Sequence, residues 1–159
     1  MLQLRAADPR DMRGICLLLE RNGLPTSDLA SSRPEFVVAH EGAQLIGAGA
    51  LERFGAVALL RSVVVAADRR GTGLGRRIVH ELEQRARASG IEELVLLTQT
   101  AAPFFERYGY RVIERGAAAS AVQASEEFGS LCPVSSVCMT KMLAATADTL
   151  PLARLAAPH

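Results

Sequence analysis

Residues 63–76 of the chain, Val63-Val64-Val65-Ala66-Ala67-Asp68-Arg69-Arg70-Gly71-Thr72-Gly73-Leu74-Gly75-Arg76, pass from a β-branched apolar stretch through a glycine-rich turn into a helical pattern. Glycines at 71, 73 and 75 carry no Cβ, so the backbone can turn tightly and come close to a ligand. The first N–H groups of a helix have no partner within it. Together with the roughly half positive charge of the helix dipole at that end, they make an anion site. Arg70 and Arg76 add full charges. A strand, a cradle and a helix in this order suit a pyrophosphate and point to an α/β chain.

Two familiar phosphate loops do not fit. A P-loop needs Lys followed by Ser or Thr after its last glycine, and here Arg76-Arg77 follow. The dinucleotide fingerprint needs G-x-G-x-x-G, but counting from Gly71 its third position is Arg76. That fingerprint also belongs near the start of a doubly wound sheet, whereas several strand-like segments precede this one. A merely tight turn would not require three alternate glycines flanked by arginines.

The rest of the chain frames this junction. Residues 2–5 alternate as a strand; Asp8-Pro9 opens a helix whose apolar positions include Met12, Ile15, Leu18 and Leu19, with Gly23 as the stop. Residues 35–40 and 44–53 read as a hairpin around Glu41-Gly42-Ala43. Residues 56–65 are nearly continuously apolar, as in a strand buried on both faces. A helix over 74–89, with Ile78, Val79, Leu82, Arg85 and Ala86 as its inner stripe, ends at Gly90. A strand at 94–98, a short helix at 102–108, a strand at 110–113, a helix-prone stretch at 117–128 and a last strand at 134–142 follow. The strand–helix–strand unit over 59–98 implies a right-handed crossover and parallel pairing, and the hairpin implies antiparallel pairing. The expectation is an α/β fold with a mixed sheet and helices on both faces. It forms one domain over residues 1–143, with an Ala/Pro-rich tail at 144–159.

Composition limits the partners. A net charge of +1 does not favour nucleic acid, and no apolar run reaches the roughly 20 residues of a membrane span. The N-terminus lacks the build of a signal peptide, so a cytoplasmic location is expected. Three cysteines (Cys16, Cys132, Cys138) without export signals argue against a disulfide framework. Cys132 and Cys138 stand six apart with no histidine nearby, which is not a zinc pattern; they read as structural thiols, with engagement of trivalent arsenic as the alternative. No metal site is expected.

Arg70-x-x-Gly73-x-Gly75 resembles the Q/R-x-x-G-x-G/A signature of the GNAT superfamily of acyl-CoA-dependent acyltransferases. Pro103-Phe104-Phe105-Glu106-Arg107-Tyr108-Gly109-Tyr110 is similar to that family's F-Y-E-x-x-G-F block. Leu97-Thr98-Gln99-Thr100-Ala101, Phe104-Phe105-Glu106-Arg107 and the run from Phe128 to Met139 resemble the arsenic-resistance-associated N-acetyltransferases, a narrower branch. The resemblance covers roughly residues 2–142. It implies the GNAT fold, acetyl-CoA as cosubstrate, a small-molecule amine as acceptor, and a homodimer, since many members pair through their sheets.

Carried over by position, Val63, Val64 and Val65 would bind the pantetheine arm, and an amide there would polarise the thioester carbonyl. Arg70, Gly71, Thr72, Gly73, Leu74, Gly75 and Arg76 would hold the pyrophosphate. Thr98 stands where many members place an asparagine touching the cofactor, and Phe105, also expected against the cofactor, stands where they place a tyrosine general acid. Phenylalanine donates no proton. Tyr108, three residues on, is either a substitute acid or a core residue before Gly109. Glu52, in an otherwise apolar run, is either a base toward the acceptor ammonium or a strand-end carboxylate paired with Arg53 or Arg61. Arg61, a charge in an apolar strand, either pairs with Glu52 or binds an acidic group of an amino-acid-like acceptor. The main expectation is an N-acetyltransferase acting on an amino-acid-like or xenobiotic amine, an organoarsenical among the candidates. A protein N-terminal or polyamine acetyltransferase is the second enzyme reading, and a non-catalytic acyl-CoA-binding module the third.

Overall fold

The computed structural model describes residues 1–125, 128–129 and 135–143; Cys132 and the expected tail at 144–159 lie outside them. Seven strands, β1 (Leu2–Ala6), β2 (Glu35–Glu41), β3 (Gln44–Phe54), β4 (Val57–Val65), β5 (Glu93–Thr98), β6 (Arg111–Ile113) and β7 (Val137–Met142), form one sheet in the order β1-β2-β3-β4-β5-β7-β6. All neighbours are antiparallel except β4 and β5. That parallel pair is joined by the helix α3 (Leu74–Ala88), as the crossover pattern requires.

The pleat sends alternate residues to opposite faces. On one face Val37, Leu51, Leu60, Leu94 and Leu96 pack with Ile78 and Leu82 of α3 and with Phe105 of α4 (Ala102–Arg107). On the other, Val38, Ala50 and Val64 pack with Ile15 and Leu19 of α1 (Met12–Arg21) and Leu29 of α2 (Leu29–Ser32), while Leu59 and Val95 meet Val122 of α5 (Ser120–Gln123). The mixed sheet clothed on both faces is the architecture the sequence implies.

Local chemistry explains the departures. Asp8 and Asp11 cap each other's backbone in a 3-10 turn at Pro9–Asp11, so α1 begins only at Met12. Within the helix-prone stretch at 117–128, the described residues form the end of a 3-10 turn at Arg115–Ala117, the single turn of α5, and a further helical piece at 128–129. Ser125 Oγ there accepts from the Phe128 N–H at 3.3 Å and the Ser125 carbonyl from the Gly129 N–H at 2.9 Å, the pattern of a serine at the opening of a helical turn. In α3 the inner stripe also includes Glu83, which is 5% exposed and not an expected core residue. Its carboxylate accepts from Tyr110 Oη at 2.7 Å and Lys141 Nζ at 3.1 Å.

Two features of β3 and β4 position the site. A Cβ on Gly49 would lie 2.8 Å from Leu82 Cδ1 and 2.9 Å from Ile78 Cγ2, so only glycine lets α3 sit this close to β3. Opposite Gly49 the register shifts: Ala48 pairs with Val64 and Ala50 with Arg61, so Ser62 and Val63 face one residue in a β-bulge. Ser62 takes the left-handed φ of 58° within it.

Candidate functional site

Before the bulge is reached, β4 leaves its parallel neighbour. The β4–β5 ladder joins Val57, Ala58 and Leu59 to Glu93, Leu94 and Val95 and stops there, although β4 runs on to Val65 and β5 to Thr98. The two strands diverge, and the edge of β4 at Val63, Val64 and Val65 carries no β5 partner. Backbone N–H and C=O groups on such an edge are ready to pair with an extended ligand.

The gap leads to the N-terminus of α3. Gly73 is the N-cap at φ 85°, a conformation that favours glycine, and it has no side chain to cap the helix. The ladder of α3 begins with Arg77 N–H donating to the Gly73 carbonyl at 3.2 Å. The N–H groups of Leu74, Gly75 and Arg76 precede it and form the anion-binding end of the helix. The loop before them is fixed from three sides. Arg69 donates to Glu41 at 2.6 and 3.0 Å, Thr72 Oγ1 to the Arg69 carbonyl at 2.6 Å, and Arg70 to Asn22 Oδ1 at the end of α1. Gly71 and Thr72 are exposed, as are Arg70 and Arg76.

Helix α4 closes the far side. A Cβ on Gly75 would lie 3.7 Å from the Phe104 ring, and Phe104 meets Tyr108 edge-on at 5.1 Å. Tyr108 is half-buried with the Arg76 guanidinium 5.4 Å from its ring centre. Thr98 Oγ1 accepts from Ala101 N–H at 3.0 Å and so fixes the start of α4, with the Thr98 side chain partly exposed at the open end of β5. The expected contact of Phe105 with the cofactor is corrected: its ring is 6% exposed and sits in the core against Tyr110, and Phe104 is the ring that lines the cradle.

Glu52 and Arg61 lie apart from the cradle, toward the other end of β4 and on the α2 face. Arg61 is enclosed, with its side chain 0% exposed. Its Nη1 and Nη2 donate to the two Asp28 oxygens at 2.6 and 2.7 Å, and Nη1 also reaches Glu52 Oε1 at 3.0 Å. The expectation that Arg61 binds an acceptor is therefore corrected: its donors are committed inside the protein, and the pairing with Glu52 is the alternative realised. Asp28 went unnoticed in the sequence. Burial pushes its pKa up, but the hydrogen bonds from Arg61 and Ser32 outweigh that, and the carboxyl is held below its ordinary range. The Glu52 side chain remains 11% exposed, the one carboxylate of the trio in contact with solvent.

An apolar groove of about 880 Å³ opens elsewhere, between Met12 and Cys16 of α1, Leu29 of α2 and Phe36 of β2. It shares no residue with the cradle, and its lining does not suit a phosphate. Among the described residues, no group of three or more His, Cys, Asp or Glu is placed to hold a metal ion, and no helix is long and apolar enough to cross a membrane.

Residues 32–112, which contain β2 through α4 and so the whole cradle, match the acetyltransferase (GNAT) domain. The chain belongs to the GNAT acetyltransferase family. It is 31% identical over 87 residues to the uncharacterized N-acetyltransferase YjcF of Bacillus subtilis (strain 168), a match that spans 54% of this chain and 62% of that protein. Rv2747 from Mycobacterium tuberculosis, solved in complex with CoA, superposes with a TM-score of 0.76 at 25% identity over 89% of this chain and 99% of that one. N-acetylglutamate synthase from Neisseria gonorrhoeae, solved with CoA and N-acetyl-glutamate, superposes with a TM-score of 0.78 at 20% identity. This chain covers 35% of the synthase, and 91% of this chain is matched. The fold is thus shared with a chain of similar length and with part of a longer one.

Proposed function

We propose that this GNAT acetyltransferase uses acetyl-CoA to acylate the primary amine of a small amino-acid-like or xenobiotic acceptor, organoarsenicals included. The observation that carries the donor half is the divergence of β4 from β5 next to the uncapped N-terminus of α3. An unpaired strand edge and an anion-binding helix end match the two halves of CoA: an amide-bearing arm and a pyrophosphate. CoA in the crystals of two similar structures supports the same assignment.

In this reading the amides from Gly71 to Arg76, with the Arg70 and Arg76 side chains, hold the pyrophosphate. Val63, Val64 and Val65 pair with the pantetheine arm as a neighbouring strand would. Thr98 borders the gap from β5, and Phe105 supports α4 from the core. When bound, acetyl-CoA supplies the acetyl group as a thioester. The protein's main contribution is to hold the acceptor amine in line with that group, since alignment of two reactants removes much of the barrier. Glu52 receives the proton of the acceptor ammonium, a role supported by its solvent contact, while Arg61 orients the carboxylate from 3.0 Å. Tyr108 serves chiefly as the platform for Arg76 and is the phenol nearest the cradle. The blocks that resemble the arsenic-resistance-associated branch support the acceptor class.

Acetyl-CoA turnover on an amine panel, followed by free-thiol release, tests this. The panel holds amino acids, an amino-acid-like arsenical, polyamines and peptide N-termini. Release with the amino-acid-like amines is expected. Turnover confined to polyamines or peptides would replace the acceptor class. Acetyl-CoA binding without turnover on any amine would favour an acyl-CoA-binding module, the reading to which Phe105 in place of a tyrosine lends weight.

A further inference from the structure

The Arg61 cluster has a second property, its place in the strand. Arg61 immediately precedes Ser62, whose φ of 58° lies in the left-handed region that a non-glycine residue avoids. Such a conformation persists only where the surroundings over-determine it. Here they do. Arg61 is tied by two bonds to Asp28 of the loop before α2, by a third to Glu52 on β3, and by Nε to Ser62 Oγ at 3.4 Å. Asp28 is itself held by Ser32 Oγ at 2.9 Å. Arg61 and Asp28 are 3% and 1% exposed, so neither reaches a ligand. The β4–β5 ladder ends at Leu59, just before Arg61, and the bulge at Ser62 and Val63 leads straight into the unpaired edge that ends at Val65.

We propose that Asp28 and Arg61 are positioning residues for the cosubstrate: their buried ion pair clamps the Ser62 bulge and thereby sets the direction of the Val63–Val64–Val65 edge. The inference rests on the reading that this edge takes the pantetheine arm. An ordinary structural ion pair would affect stability alone. A clamp on the bulge predicts that a residue at home in the left-handed region makes the clamp dispensable. Glycine at 62 is that residue.

Acetyl-CoA affinity, measured by calorimetry on the whole chain, reads this out without turnover. Asp28→Asn keeps the shape and removes the charge, and weakening of about tenfold is expected from the lost preorganisation. Asp28→Asn/Ser62→Gly is expected to recover affinity to within about threefold of the wild type, since its edge is again preorganised. Its melting temperature should stay near that of Asp28→Asn, because the guanidinium is still buried beside a lost carboxylate. Wild-type affinity in Asp28→Asn, or no recovery with Ser62→Gly, overturns the clamp. A wild type that binds no acetyl-CoA sinks the cosubstrate reading first and the clamp with it. If Asp28→Asn does not fold, Asp28→Leu/Arg61→Met removes both charges together and carries the same comparison, with and without Ser62→Gly.

Discussion

Arg76 lies over the ring of Tyr108, its guanidinium carbon 5.4 Å from the ring centre, so the first turn of α3 and the end of α4 meet in one cation–π contact. Lys141 fixes the other side of the same residue by donating to the Tyr108 carbonyl at 2.8 Å. A contact of this kind contributes about 0.5–1 kcal/mol where exposed. Tyr108→Phe keeps the aromatic face and should leave acetyl-CoA affinity within about twofold, whereas Tyr108→Leu should weaken it by roughly threefold. Calorimetry measures both. A large fall in kcat for Tyr108→Phe with affinity unchanged would instead make the phenol a proton donor.

Glu52→Gln separates chemistry from binding. Glutamine can still accept from Arg61, and Arg61 keeps both bonds to Asp28, so the packing is retained. What is lost is a group able to accept a proton. With the acceptor found by the amine panel, kcat should fall by about 10²-fold or more, the scale of general-base catalysis. Acetyl-CoA affinity should not change. Equal kinetics in the two proteins would make Glu52 purely a partner of Arg61.

The hydroxyl of Tyr110 donates to Glu83 at 2.7 Å inside the core, and burial there pushes the Tyr110 pKa strongly up, keeping the phenol neutral. Tyr110→Phe leaves Glu83 with Lys141 alone and should destabilise the fold by about 1–3 kcal/mol. Urea denaturation at neutral pH measures this. No change in the midpoint would mean that water or Lys141 fully satisfies the carboxylate.

Acid should unfold the protein through particular carboxyls. Hydrogen bonds from Arg5 hold Asp11 down to about 2, and those from Arg61 hold Asp28 below the ordinary 3.8. Both pKa values are lower in the folded than in the unfolded chain, so the stability they contribute is present above the unfolded value and is lost as pH falls through the folded one. The urea midpoint is expected to drop as pH goes from about 4 to about 2. Asp11→Asn should flatten part of that decline. A midpoint unchanged over this range would contradict the assignment.

What the sequence revealed and what it hid have physical reasons. The sequence of elements, the crossover and the glycine-led start of α3 were legible because hydrophobic period, glycine spacing and caps are local signals. Arg61 could be recognised as a buried charge in want of a carboxylate, and Glu52 was found because it lies on the neighbouring strand. Asp28, 33 residues upstream in a polar loop, carries no local sign that it folds onto β4. The exchange of roles between Phe104 and Phe105 was equally hidden. A six-residue helix follows a turn whose angle decides which ring faces the core, and no periodicity fixes that angle. Glu83 carries no local sign of burial, because its partners Tyr110 and Lys141 come from later in the chain.

The central claim is that the α3 N-terminus holds the pyrophosphate of acetyl-CoA, and Gly73→Asp tests it most directly. Apart from its chain neighbours, no atom of the described residues lies within 4 Å of a Cβ at this position, so the side chain fits, and the left-handed φ of 85° costs about 1–2 kcal/mol. Gly73→Ala carries that backbone cost without the charge. Calorimetric titration with acetyl-CoA should show binding to the wild type, modest weakening in Gly73→Ala, and loss by about 10²-fold or more in Gly73→Asp, where a carboxylate meets the anion site. Affinity for acetyl-CoA that is the same in Gly73→Asp as in Gly73→Ala would contradict it.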